Sequence, residues 1–147
     1  MKRSALVAAL LLAAFGAAAG QLTASRGEIT VIVDNLRADV GQARFMLFRS
    51  EEGFPDEPVR AYKMVVVDVK NYKAQAVFAD LPYGTYAVYV FHDENSNGVL
   101  DSNFFQVPTE GYGASNNAAS IMEKPDFDDA AITLNAKQLT VRVEIQY

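Results

Sequence analysis

An all-β fold, a single antiparallel β-sandwich of about seven strands, is what this sequence predicts, and three observations carry the prediction. Apolar residues recur at every second position from Glu28 onward, the spacing that buries one face of a strand and wets the other. Turn-forming residues, among them Asn71-Tyr72 and Leu81-Pro82-Tyr83-Gly84, separate these runs. Beyond the first twenty residues no segment carries the spacing of an amphipathic helix. A small closed barrel is the alternative that such a pattern leaves open.

The first twenty residues read differently. Lys2 and Arg3 precede an unbroken apolar run from Ala5 to Phe15, followed by small residues at Ala17, Ala18 and Ala19. That is the layout of a removable secretory signal, and the run is shorter than the roughly 20 residues that cross a bilayer. The expectation is cleavage after Ala19 or Gly20, with no lipid anchor because the chain has no cysteine. The product is then periplasmic or secreted, and residues 21–147 suit one domain with one core. Without disulfides, apolar packing and any bound metal must hold the fold. Residues 21–147 carry 11 Lys+Arg against 18 Asp+Glu, a formal charge of −7, which disfavours nucleic acid and anionic lipid as partners.

Along the chain, the first strand is read from Ile29, Val31 and Val33 and the second from Ala43, Phe45 and Leu47. Tyr62 to Val69 is strand-like, and Ala74, Ala76 and Phe78 mark the next strand. Between Thr85 and Phe91 the run TYAVYVF is apolar at every side chain but one, which predicts a central strand covered from each side. Ala130 to Leu134 is expected to join the last strand through the turn Asn135 to Lys137. In that last strand Leu139, Val141, Val143, Ile145 and Tyr147 alternate with Thr140, Arg142, Glu144 and Gln146, one set facing a core and the other water. From Asp93 to Asp129 the rhythm breaks into Asn, Asp, Gly, Ser and Pro. A loop this long is usually functional, disordered or organised by something bound.

Within it, HDENSNGVLD places Asp93, Asn95 and Asn97 at alternate positions, then Gly98, then Asp101. Oxygen donors at positions 1, 3 and 5, Gly at 6 and an acid at 9 match most of a calcium loop of the EF-hand type, with the Val99 carbonyl at position 7. Calcium wants six to eight hard oxygens, and the glycine permits the turn that aims them inward. At position 12, where a bidentate Glu belongs, stands Phe104. Glu110 or water must fill that place, and binding of the weak extracellular kind is expected, with Kd on the order of 0.1 to 1 mM. The competing reading is plain: Asn97-Gly98 is a strong hairpin-turn signal with no metal at all.

Other residues invite chemistry less strongly. His92 is the only histidine, and a triad with Asp93 and Ser115 is conceivable on paper, but adjacent strand residues point to opposite faces. No catalytic residue is assigned and the protein is expected not to be an enzyme. Tyr112, Ser115, Asn116 and Asn117, set among glycines, form the mixture that hydrogen-bonds and stacks on a sugar. A carbohydrate- or small-ligand-binding module without metal is therefore the second functional reading, against the alternative that these residues satisfy the loop's own backbone. Phe104, Phe105, Phe127 and Tyr83 are expected to plug the loops into the core. There is no P-loop, dinucleotide fingerprint, zinc spacing or basic patch.

The strings FRSEEGFP, LPYGTYAVYVFHDENSNGVLD, EGYGASNNA and KPDFDDA together resemble the bacterial exported proteins of domain-of-unknown-function family 2141. That resemblance implies export and one β domain and supplies no catalytic residues. More distantly, an LPxGxY turn, a strand and a DxNxNGxxD loop in this order are similar to prealbumin-like β-sandwich modules of bacterial surface proteins. The likeness implies a prealbumin-like or immunoglobulin-like sandwich, with Asp93, Asn95, Asn97, Asp101 and the Val99 carbonyl as calcium ligands.

Overall fold

The computed structural model describes residues 25–121 and 123–147. The expected secretory signal, residues 1–20, lies outside the described residues. Among the described residues eight strands run in the order β1 (Arg26–Val33), β2 (Gln42–Phe48), β3 (Lys63–Asp68), β4 (Ala74–Pro82), β5 (Gly84–Asp93), β6 (Tyr112–Ala114), β7 (Ala131–Leu134) and β8 (Gln138–Arg142). Short 3-10 turns at Pro58–Arg60 and Ser115–Asn117 and one helical turn, α1 (Phe127–Ala130), are the helical elements among the described residues. One sheet has the order β4-β1-β8. The other has the order β3-β2-β5-β6, with β7 also against β5.

The two sheets pack as a sandwich, and alternation along the strands explains both of its apolar layers. Ile29, Val31, Phe45, Phe78, Val88 and Val90 are buried in the layer between the sheets. Each large apolar side chain buried there contributes about 1.5–3 kcal/mol. On the other face of β2 and β5, Met46, Phe48, Ala87, Tyr89 and Phe91 form a second cluster beneath loops. Phe54 pins those loops down, making edge-on contacts with Phe48 at 5.3 Å and Phe127 at 5.9 Å. This double cover is why TYAVYVF has no wet face.

Three features depart from the expected pattern. The turn Asn135 to Lys137 does not fold β7 and β8 into a hairpin but carries the chain from one sheet to the other, so β8 lies parallel to β1, Ile29 opposite Leu139. The last strand also ends early, because after Arg142 the chain changes partners. The Val143 N–H still donates to the Ile32 carbonyl at 3.0 Å, while Tyr112 and Gln146 exchange backbone bonds of 3.0 and 2.8 Å. The C-terminus thus crosses to β6, a strand of three residues that no periodicity announced. The crossing is close: a Cβ on Gly113 would stand 2.3 Å from the Glu144 carbonyl oxygen. Finally, Phe127 and Tyr83 pack against the cores as expected, but Phe104 and Phe105 do not. They are 94% and 80% exposed, because Asn103 turns the backbone outward beneath them.

Candidate functional site

The candidate site starts from the end of β5. Strand alternation sends His92 to the inner face and Asp93 to the outer one, and the register sets Arg44 opposite Phe91 and Gln42 opposite Asp93. Arg44 and Asp93 are therefore diagonal neighbours on one face. Asp93 is fully buried, and the Arg44 Nε–H donates to its Oδ2 at 2.6 Å. The backbone N–H groups of Asn97 and Gly98 donate to Asp93 Oδ1 and Oδ2 at 3.0 and 2.8 Å. Burial pushes the Asp93 carboxyl up, but Arg44 and the two amides outweigh it and hold the group below its ordinary value.

From this root the loop curls on its own side chains. Asn95 Oδ1 accepts the Asn97 N–H at 3.1 Å and Asn97 Oδ1 accepts the Val99 N–H at 2.9 Å. Gly98 sits at φ +88°, in the left-handed region that favours glycine. The side-chain ends then meet: Asn95 Nδ2 donates to Asp101 Oδ2 at 2.6 Å, and Asn97 Nδ2 reaches both Asp101 oxygens at 3.0 and 3.1 Å. Glu110, nearly fully buried, braces the two ends from below by accepting the Glu94 N–H at 2.8 Å and the Asp101 N–H at 3.0 Å. Asp93, Asn95, Asn97 and Asp101 are thus brought into one network. The Val99 side chain is exposed.

The donor set suits a hard cation in kind and limits it in strength. Two carboxylates, two amide oxygens and the Val99 carbonyl are oxygen ligands of the type calcium takes. Against this, Arg44 already neutralises Asp93, and both asparagine amides present N–H groups to Asp101. A cation at Asp101 requires those amides to turn their oxygens inward in exchange for hydrogen bonds they make now. Among the described residues no group of three or more His, Cys, Asp or Glu is placed to hold a metal ion, so the amides are indispensable to any such site. Arg44 is the residue that reading the sequence missed, because its place depends on the β2–β5 register.

The second predicted segment is arranged otherwise. The Ser115 hydroxyl, fully buried, donates to the Ala130 carbonyl at 2.5 Å and accepts the Val88 N–H at 2.9 Å. Asn116 Nδ2 donates to the carbonyls of Asp129 and Ala131 at 3.1 and 2.9 Å. Asn117 Oδ1 accepts the Glu144 N–H at 3.1 Å, and the Tyr112 hydroxyl donates to the Ser120 carbonyl at 2.8 Å. All four residues tie the long excursion to the sandwich. His92 is also committed: Nε2–H donates to the Val40 carbonyl at 2.8 Å, and Nδ1 accepts the Tyr147 hydroxyl at 2.9 Å. Ser115 and His92 bond to different partners and do not form a nucleophile–base pair.

No curated protein and no solved structure matches the chain. A family model does, over residues 31–142, a span that runs from within β1 to the end of β8. Its description is "Uncharacterized protein conserved in bacteria (DUF2141)", and the chain belongs to that family.

Proposed function

We propose that this is an exported, non-enzymatic β-sandwich, a binding or structural module whose Asp93 to Asp101 loop takes calcium and is stiffened by it. The observation that supports this best is the meeting of the Asn95, Asn97 and Asp101 side-chain ends at 2.6–3.1 Å, beside the buried Asp93 carboxylate. Turns built on side-chain oxygens curl the loop around that point, and water completes the coordination. Because Arg44 already offsets one of the two carboxylates, the site is weak, with Kd on the order of 0.1 to 1 mM. Such a value matches calcium outside a cell rather than inside it, in keeping with the N-terminal signal. The non-enzymatic reading draws support from His92 and Ser115, whose polar atoms are spent on the fold.

Calcium titration followed by NMR on the side-chain amides of Asn95 and Asn97 and the N–H of Gly98 tests the proposal. Saturable shifts in the millimolar range, lost in Asp101→Ala, are the expected result. Unchanged amide signals up to about 10 mM calcium, well above the expected Kd, refute it.

A further inference from the structure

Beyond the cation loop, the most exposed pair of aromatic side chains among the described residues is Phe104 and Phe105. The hairpin from Ser102 to Pro108 closes with a bridge between its ends and is fixed from inside by Asn103. Asn103 Oδ1 accepts the N–H groups of Phe105 and Val107 at 2.9 and 3.1 Å, and the Asn103 N–H donates to the Val107 carbonyl at 2.9 Å. This rigid tip holds Phe104 and Phe105 edge to face at 5.5 Å while exposing 94% and 80% of them. Beside the tip, on the outer face of β2 and β5, runs a groove of about 520 Å³ walled by Met46, Tyr89, Phe91, Leu100 and Pro108. Asp56 and Lys124 pair at its rim.

We propose that the Phe104–Phe105 tip of one molecule docks in the outer-sheet groove of a second copy, and reciprocally, forming a two-fold dimer. Tip and groove adjoin on one molecule, the arrangement that a self-complementary two-fold interface requires. Burying each aromatic ring removes about 150–250 Å², so two tips and the walls they cover come to about 1,200–2,000 Å², the size of a stable interface. Charge favours a second copy over a membrane. The chain is acidic overall, whereas Ser102 to Thr109 carries no charged residue and the groove's one ion pair is internally neutralised. The copies therefore meet where like-charge repulsion is least, while an anionic lipid surface would meet the acidic remainder.

Sedimentation velocity on the chain from Gln21 onward, which contains every described strand and both cores, tests this in chelator so that the cation loop plays no part. A concentration-dependent dimer is expected. Phe104→Ser/Phe105→Ser should raise its dissociation constant at least a hundredfold, with no change in the unfolding midpoint measured at concentrations where the parent is monomeric, since both rings are exposed. Leu100→Arg in the groove should do the same, and mixing it with the tip variant should recover a heterodimer, because one intact tip then meets one intact groove. A parent chain monomeric up to about 1 mM overturns the proposal, as does a tip variant that dimerises as well as the parent. A monomer that binds vesicles through Phe104 and Phe105 also overturns it and assigns the tip to a lipid surface.

Discussion

In the segment Tyr112–Asn117 each of the four polar side chains singled out bonds to main-chain atoms outside the segment, three of them on or beside other strands, whereas between Asp93 and Asp101 side chain meets side chain. Ser115, Asn116 and Asn117 bond to β5, to β7 with the residues just before it, and to the chain after β8. Asn95, Asn97 and Asp101 bond mainly to one another and to their own loop. Both are rich in Asn, Gly and Ser, and only the loop from Asp93 to Asp101 also carries acids, Asp93, Glu94 and Asp101, so the residues they share do not set the role. What separates them is the partner atom. A backbone carbonyl fixed by the sandwich cannot yield to a ligand without unfolding something, while two amides facing the half-buried Asp101 carboxylate can rotate and exchange one partner for another.

Substitutions should expose that difference, beginning with the largest effect. Asp93→Ala removes a buried carboxylate that satisfies Arg44 and two backbone amides, and should lower the unfolding free energy by about 3 kcal/mol. It should also abolish any gain from calcium. Ser115→Ala leaves the buried Val88 N–H without its partner and should cost about 2 kcal/mol by chemical denaturation. Its calcium response should be intact, and a lost response would mean that the two segments are one unit.

Acid provides a finer probe. The native Asp93 carboxyl titrates below its ordinary value, so its contribution is complete above about pH 4 and is lost as pH falls through the native pKa. The unfolding midpoint should therefore drop below about pH 4 less steeply in Asp93→Asn than in the parent. At the smaller end, Arg44→Gln removes the positive charge that competes for Asp93 and should tighten calcium binding several-fold in the titration, despite some loss of stability in chelator. Tyr112→Phe deletes one hydrogen bond to Ser120 and should cost about 1 kcal/mol or less, with calcium binding unchanged.

How much of this was legible in the sequence depends on whether a feature is a matter of facing or of pairing. Period-two spacing reports which face a side chain takes, so β1 to β5, β7 and β8 could be located from residues such as Ile29, Phe45 and Val141, and the double cover of β5 from TYAVYVF. It does not report partners. The parallel β1–β8 pair, the crossing of the C-terminus to Tyr112 and the diagonal of Arg44 with Asp93 all depend on long-range register. β6 escaped notice because Tyr112-Gly113-Ala114 is too short to show a period, its glycine being fixed by the approach of Glu144. Asp93, Asn95, Asn97 and Asp101 share one hydrogen-bond network, since each lies within the reach of one tight loop. Phe104 and Phe105 misled for a related reason: an aromatic in a loop suggests a plug, and only the turn at Asn103 turns it outward.

The central claim, that the Asp93 to Asp101 loop takes calcium, is tested most directly by the thermal unfolding midpoint in excess chelator and then across a calcium titration. A ligand that binds only the folded chain must raise stability, and a site with Kd near 1 mM gives about 1.4 kcal/mol at roughly 10 mM calcium, a shift of a few degrees. A saturable rise that magnesium does not reproduce and that Asp101→Ala abolishes is the predicted result. An unfolding midpoint indifferent to calcium would contradict the account and leave Asn97-Gly98 as a hydrogen-bonded turn with Arg44 as its only cation.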